Sequence, residues 1–280
     1  MKVFASTLIV FLLSFSASAA ETIRLVWPYS LESYWQNGRT IAENANASQT
    51  KYNFVSEIKQ GAGGTIAAQY VLANPNTAIF SNAVSHIVKP ITNPREAGYD
   101  LDSFQPVLVQ VLDVPLIMVS KKYKTMSELL AQPKLNIGIS AAGGITDYAA
   151  RMMVNKPDAQ FVSFKTGFPE QVAGVLGGHL DGAVVTIDSS KRFVDAGSLM
   201  RLADSPLTMN CVMYASTKMD PERTREIHEI LTAASNQDNV RKILVDASPK
   251  YVYWNLARLQ EWYAAERNRW VGIAAKHPLK

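Results

Sequence analysis

The chain has 280 residues, 28 basic and 24 acidic, and a formal net charge of +4. The basic residues form no run, which argues against a nucleic-acid binder. Apolar residues make up 48%, enough for a packed core, and no stretch after the first is long enough to span a bilayer.

The first element is a leader. Met1 and Lys2 precede an apolar run over 3–15, and small residues at 16–20 offer cleavage sites after Ala19 or Ala20. Residues 1–20 read as a signal peptide, which places the protein in the periplasm. The remaining chain, about 260 residues, allows one large domain or two modest ones. Cys211 is the sole cysteine. Its neighbours, MNCVM, predict a buried strand and a thiol that serves as a small hydrophobe.

Strands and helices then alternate. A strand at 22–27 is followed by a helix from Ser33 to about Ala47, with Ser33 and Gln36 placed as a capping box. A strand at 52–58 leads into Gly61-Ala62-Gly63-Gly64 and a helix at 65–73. A buried strand follows at 76–81. Pro106, Asp113 and Pro115 interrupt the apolar run 104–120, which predicts two consecutive strands, 107–112 and 116–120. A helix at 126–131, a strand at 135–140, a second small-residue loop (Ser140, Ala141, Ala142, Gly143, Gly144) and a helix at 145–154 come next. The strand 161–164, a helix from Pro169 to Gly177 and the strand 180–186 follow. Asp220-Pro221-Glu222 starts a helix, and 255–275 is one long amphipathic helix. The aromatic residues Tyr251, Tyr253, Trp254, Trp262, Tyr263 and Trp270 at that end are expected to pack it onto the body. Alternation of this kind predicts an α/β fold with largely parallel sheets.

Ligands of open α/β sheets bind beyond the carboxyl ends of the strands. Both glycine loops fall there. A loop without side chains at a helix start leaves backbone N–H groups facing outward at the positive end of the helix dipole, which suits an anion. Tight turns are the structural alternative, and Ser140, Thr146 and Asp147 can cap the helix as well as touch a ligand. His86, His179, His228 and His277 are far apart and form no metal-binding pair, so no metal and no cofactor is expected. Gly138-Ile139-Ser140-Ala141-Ala142 lacks the last glycine of a nucleophile elbow. A hydrolase built on Ser140 is the enzymatic alternative to a non-enzymatic receptor.

The order of motifs resembles the receptors of tripartite tricarboxylate transporters, the Bug family. The resemblance runs over nearly the whole mature chain. It is carried by GAGGTIAAQYVLANP at 61–75, Ser85-His86 with Pro90, GISAAGGITD at 138–147, FVSFKTGFPEQVAGVLGGHLDGA at 161–183 and LARLQEWYAAERNRW near the end, with Glu266 and Trp270 in matching positions. It implies a two-lobe, type II periplasmic binding protein-like (Venus flytrap) fold. One lobe would hold 21–112 and 208–280, the other 113–207. It also implies a small carboxylate or related organic acid as ligand, integral membrane transporter subunits as partners, and a monomeric receptor; a sensor protein is the alternative partner.

The resemblance places Tyr29, Ser30, Glu32, Ser33, Gly63, Gly64, Ser81, Ser85 and His86 on one side of the cleft. On the other it places Ser140, Ala141, Ala142, Gly143, Gly144, Thr146, Asp147, Lys165, Thr166 and Gly167. Lys165 is the expected positive charge of the cleft. The first loop departs from the family's Pro-x-x-Gly-Gly-x-x-Asp: it has no glycine and carries Glu32. Pointing inward, Glu32 disfavours a bare carboxylate and favours a ligand with an ammonium or hydroxyl group; pointing outward, it is a helix-start acid. The lobes are expected to hinge near 112–115 and 207–210.

Overall fold

A computed structural model describes residues 19–29, 33–164, 167–247 and 253–279, with backbone alone at 33–36 and 243–247. The leader, the capping pair Ser33–Gln36 and Tyr251 therefore lie outside the described residues or side chains. The order is β1 (Glu21–Trp27), α1 (Ser33–Ser48), β2 (Tyr52–Ile58), α2 (Thr65–Ala73), β3 (Ala78–Asn82), α3 (Ser85–Thr92), α4 (Pro94–Ala97) and β4 (Phe104–Ser120). Then come α5 (Met126–Leu130), β5 (Asn136–Ile139), α6 (Ile145–Val154), β6 (Gln160–Ser163), α7 (Phe168–Leu176), β7 (Gly182–Thr186), α8 (Ile187–Asp195) and β8 (Met200–Ser216). The helices α9 (Pro221–Ser235), α10 (Asp238–Ala247) and α11 (Leu256–Lys276) end the chain.

The described strands form one eight-stranded sheet in the order β2-β1-β3-β8-β4-β7-β5-β6. The pairs β1–β2, β1–β3, β5–β6 and β5–β7 are parallel, as alternating βα units require. The pairs around β4 and β8 are antiparallel, so the sheet is mixed rather than largely parallel. β4 and β8 are 17 residues each, about three times an ordinary strand. One end of their ladder takes β3 at Val212–Ala215; the other takes β7 at Leu116–Val119. Each end thus carries its own βα units, and the two long strands are shared.

The expected break in the run 104–120 is a kink within one strand. Asp113 adopts φ +54°, and the β4–β8 register shifts between Val111 and Val114 and again between Pro115 and Ile117. A left-handed residue inside a strand needs anchoring. Here the Asp113 N–H donates to Asn210 Oδ1 (2.8 Å) and Thr208 donates to the Asp113 carboxylate (3.2 Å). Asn210 in turn donates to Glu266 of α11 (3.3 Å), which also accepts from the Trp270 indole (2.9 Å) and the Arg269 guanidinium. The C-terminal helix is thereby tied to the point where β4 and β8 cross between the two ends.

Packing of α11 follows its aromatic residues in part. Trp270 and Tyr263 are buried, Trp254 and Trp262 are half-buried against each other with centroids 5.8 Å apart, and Tyr253 is exposed. Trp270 meets Tyr148 of α6 edge to face at 5.6 Å, linking helices from opposite ends of the sheet. Cys211 sits in β8, half-buried, with burial pushing its thiol up to about 12. It stays protonated and unreactive at neutral pH. No described helix is long and apolar enough to cross a membrane.

Gly38 shows how one core contact overrides helix propensity. It lies inside α1, where alanine is normally better by about 1 kcal/mol. A Cβ there would fall 1.8 Å from the buried Trp27 indole. Gly38→Ala is therefore expected to destabilise the protein by about 2 kcal/mol or more, through overpacking. Urea denaturation would check it; a neutral or stabilising result would show that the indole has another place to go.

Candidate functional site

The loops at the carboxyl ends of the strands define the site. β2 ends before Gly61, and Gly61, Ala62, Gly63 and Gly64 all have positive φ (127°, 47°, 63° and 97°). The Gly64 N–H closes the turn onto the Gly61 carbonyl (3.0 Å). The two left-handed central residues, Ala62 and Gly63, match a type I′ turn, in which Ala62 takes a conformation usually left to glycine or asparagine. Beyond β5, the Gly144 N–H closes onto the Ala141 carbonyl (3.0 Å), with Gly143 at φ +72° as third residue. That is the position a type II turn reserves for glycine.

The second loop is bonded into its helix. Thr146 Oγ1 accepts from the Ser140 N–H (2.8 Å) and lies 2.7 Å from the Ser140 hydroxyl. Asp147, buried, accepts from the Gly143 N–H (2.9 Å) and from Arg151 Nε (2.7 Å). These bonds occupy the amides of Ser140, Gly143 and Gly144. Among the described residues, the amides of Ala141, Ala142, Ile145 and Thr146 have no such acceptor; Ala142 is exposed, while Ala141, Ile145 and Thr146 are buried. Among the described residues, the Ser140 hydroxyl is hydrogen-bonded to Thr146 Oγ1.

The two loops meet. A Cβ placed on Gly63 would lie 3.3 Å from the Ala141 Cβ and 3.7 Å from the Ala142 carbonyl oxygen. On the same side, a Cβ on Gly64 would lie 2.7 Å from Asn82 Nδ2 and 3.5 Å from Pro28. Asn82 Oδ1 accepts from the Ser85 N–H (3.0 Å). Burial pushes the Tyr29 hydroxyl up to about 12. The first, second and third βα loops are thus brought together and face the fifth strand's loop. Gly167, before α7, has open space where a Cβ would be.

Other expected site residues are placed in the interior. Ser81 is buried on β3 and donates to Gln110 Oε1 of β4. His86, 2% exposed, packs among aromatic rings, with centroids at 4.0 Å from Tyr214, 5.7 Å from Phe80 and 5.8 Å from Tyr263. Ser30, Glu32, Lys165 and Thr166, and the side chain of Ser33, lie outside what is described. The sequence reading missed Lys89. It stands on α3, a helix whose internal Pro90 masked it as loop, and its Cε would be 3.9 Å from a Cβ on either Gly63 or Gly143. Its spacing from His86, three residues on one helix, was the available signal. No cluster of metal-ligating side chains is found among the described residues.

Two consequences can be measured. Desolvation, with Arg267 nearby, lowers the His86 imidazole from 6.5 to about 3. The unfolded chain then binds the extra proton between these values, so folding stability falls as pH drops below 6.5. From pH 6.5 to 4.5 His86 alone is expected to remove about 2–3 kcal/mol, and His86→Phe to flatten that part of the profile. Urea midpoints of both proteins at the two pH values would decide. Asp147→Ala strands the Gly143 amide and Arg151, and is expected to cost about 3 kcal/mol, read by the same denaturation.

No family model and no curated protein matches this sequence. Solved structures do. The periplasmic binding protein BugD matches with a TM-score of 0.75 at 16% identity, covering 91% of this chain and 97% of that one. MatC (Rpa3494) from Rhodopseudomonas palustris with bound malate matches with a TM-score of 0.77 at 16% identity, over 90% and 98%. Rpa4515 of R. palustris with adipate gives 0.72 at 20%, over 91% and 96%. The chain is thus similar in structure to Bug-type receptors along nearly its whole length, and it has the two-lobe fold of type II periplasmic binding proteins.

Proposed function

We propose that the chain is a periplasmic receptor for a small organic acid, held in a cleft between a lobe of residues 21–112 with 208–280 and a lobe of 113–207. The observation that carries this reading is the meeting of two loops without side chains, Gly63 against Ala141 and Ala142, from opposite ends of the shared strands. Receptors need close backbone approach, free amides and a joint. The kink at Asp113 and the register shifts beside it supply the joint. The carboxylates bound by MatC and Rpa4515, malate and adipate, support the ligand class.

In this reading the apposed loops are the closed state. Ligand binding shifts the lobes toward it and removes the ligand from water. The closed form is what a membrane transporter of the tripartite kind recognises, and the receptor acts as a monomer after its leader is removed at Ala19 or Ala20.

The test begins with native mass spectrometry of freshly purified protein, where a co-purified organic acid is expected. After removal of ligand, calorimetry with malate, adipate, succinate and citrate is expected to show binding of at least one. Small-angle scattering should then show a smaller radius of gyration with that acid. Binding without any decrease would argue for a preformed closed cleft; no binding of any carboxylate would overturn the ligand class.

A further inference from the structure

We propose that Lys89 sets the charge preference of the cleft, its ammonium taking one carboxylate of a dianionic acid whose other carboxylate is held by the free amides of the Ala141–Ala142 loop. This rests on the receptor reading above. Lys89 lies in the last turn of α3, and its stem reaches the meeting point of the two glycine loops: Cε is 3.9 Å from the Cβ position of Gly63 and 3.9 Å from that of Gly143. Those glycines belong to opposite ends of the sheet. A Cβ at either would lie in van der Waals contact with the lysine stem.

The head group is under-compensated for its surroundings. The side chain is 11% exposed, and Glu96 is its one hydrogen-bond partner among the described residues, at 3.3 Å. Charge-assisted pairs normally close to about 2.7–2.9 Å. Glu96 cannot simply approach, because Asn93 holds its other oxygen at 2.6 Å and Asn93 also accepts from the Glu96 N–H. Glu96 is itself 44% exposed, where a carboxylate compensates a cation weakly. An ammonium has three donors, which leaves capacity for a second acceptor. On the other side of the contact, the Ala141 and Ala142 amides lack acceptors within the loop. A cation and a pair of amides facing one cleft match an acid with two negative ends.

The experiment compares adipate with monomethyl adipate by calorimetry on the mature protein, in the wild type, Lys89→Met, Lys89→Gln and Lys89→Arg, with thermal unfolding as the control for folding. The wild type is expected to favour the diacid at least tenfold. In Lys89→Met that preference should collapse to about threefold or less, and in Lys89→Arg it should persist. Lys89→Gln, which keeps a polar stem, gives the same reading if the methionine variant does not fold. A preference unchanged in Lys89→Met or Lys89→Gln, or absent from the wild type, overturns this role of Lys89 while leaving the receptor reading intact. Failure of the wild type to bind either compound or any of malate, succinate and citrate would overturn the receptor reading and this role together.

Discussion

Everything in this fold depends on the ladder between β4 and β8. Two antiparallel strands of 17 residues pair along most of their length, and each end of that ladder is extended by its own βα units. The ladder cannot be straight and uniform. Asp113 takes a left-handed conformation, and the pairing slips between Val111 and Val114 and again, in the opposite sense, between Pro115 and Ile117. Such a defect costs stability unless its backbone groups find partners. Asn210 and Thr208 supply them, and Asn210 passes the link on to Glu266 and so to α11. The last helix of the chain is therefore part of the joint between the two ends, which gives a reason for its buried glutamate among aromatic residues.

The glycine loops are preorganised rather than slack. One is a left-handed turn closed on itself; the other is a type II turn whose amides are partly consumed by Thr146 and Asp147. Consuming some donors fixes the direction of the remainder. A loop held this way loses little entropy when an anion arrives, which favours binding. Asp147 shows the same economy: a buried carboxylate beside a helix start would repel an anion, but Arg151 neutralises it within its own helix turn.

Most local structure was legible in the residues. The strands at 21–27, 52–58 and 136–139, the helices after both glycine loops, and the Asp220 cap follow from apolar runs, small-residue punctuation and capping chemistry. The helices at 187–195 and 238–247 and the full extent of β8 were not read, and three further features were hidden for identifiable reasons. The α3 helix carries Pro90 inside it, and proline usually argues against a helix; its position late in a short helix removes few backbone bonds. The run 104–120 reads as two strands because Asp113 and Pro115 break its pattern locally, yet the partner β8 holds both halves in one ladder. His86 stood beside a motif of cleft residues, but its short side chain packs into the aromatic cluster around Tyr214, while the longer Lys89 stem, one turn later, reaches the loops.

The sequence by itself determined the alternation of elements, the two glycine turns and the family resemblance, because these rest on neighbouring residues and their backbone preferences. Tertiary structure decided which groups face each other. That Gly63 meets Ala141, that Gly38 must be bare for Trp27, that Asp113 is anchored by Asn210 and Glu266, and that Lys89 stands between the loops all depend on pairings over long stretches of chain. No local pattern encodes such contacts, since each arises when the shared strands bring distant loops to one place.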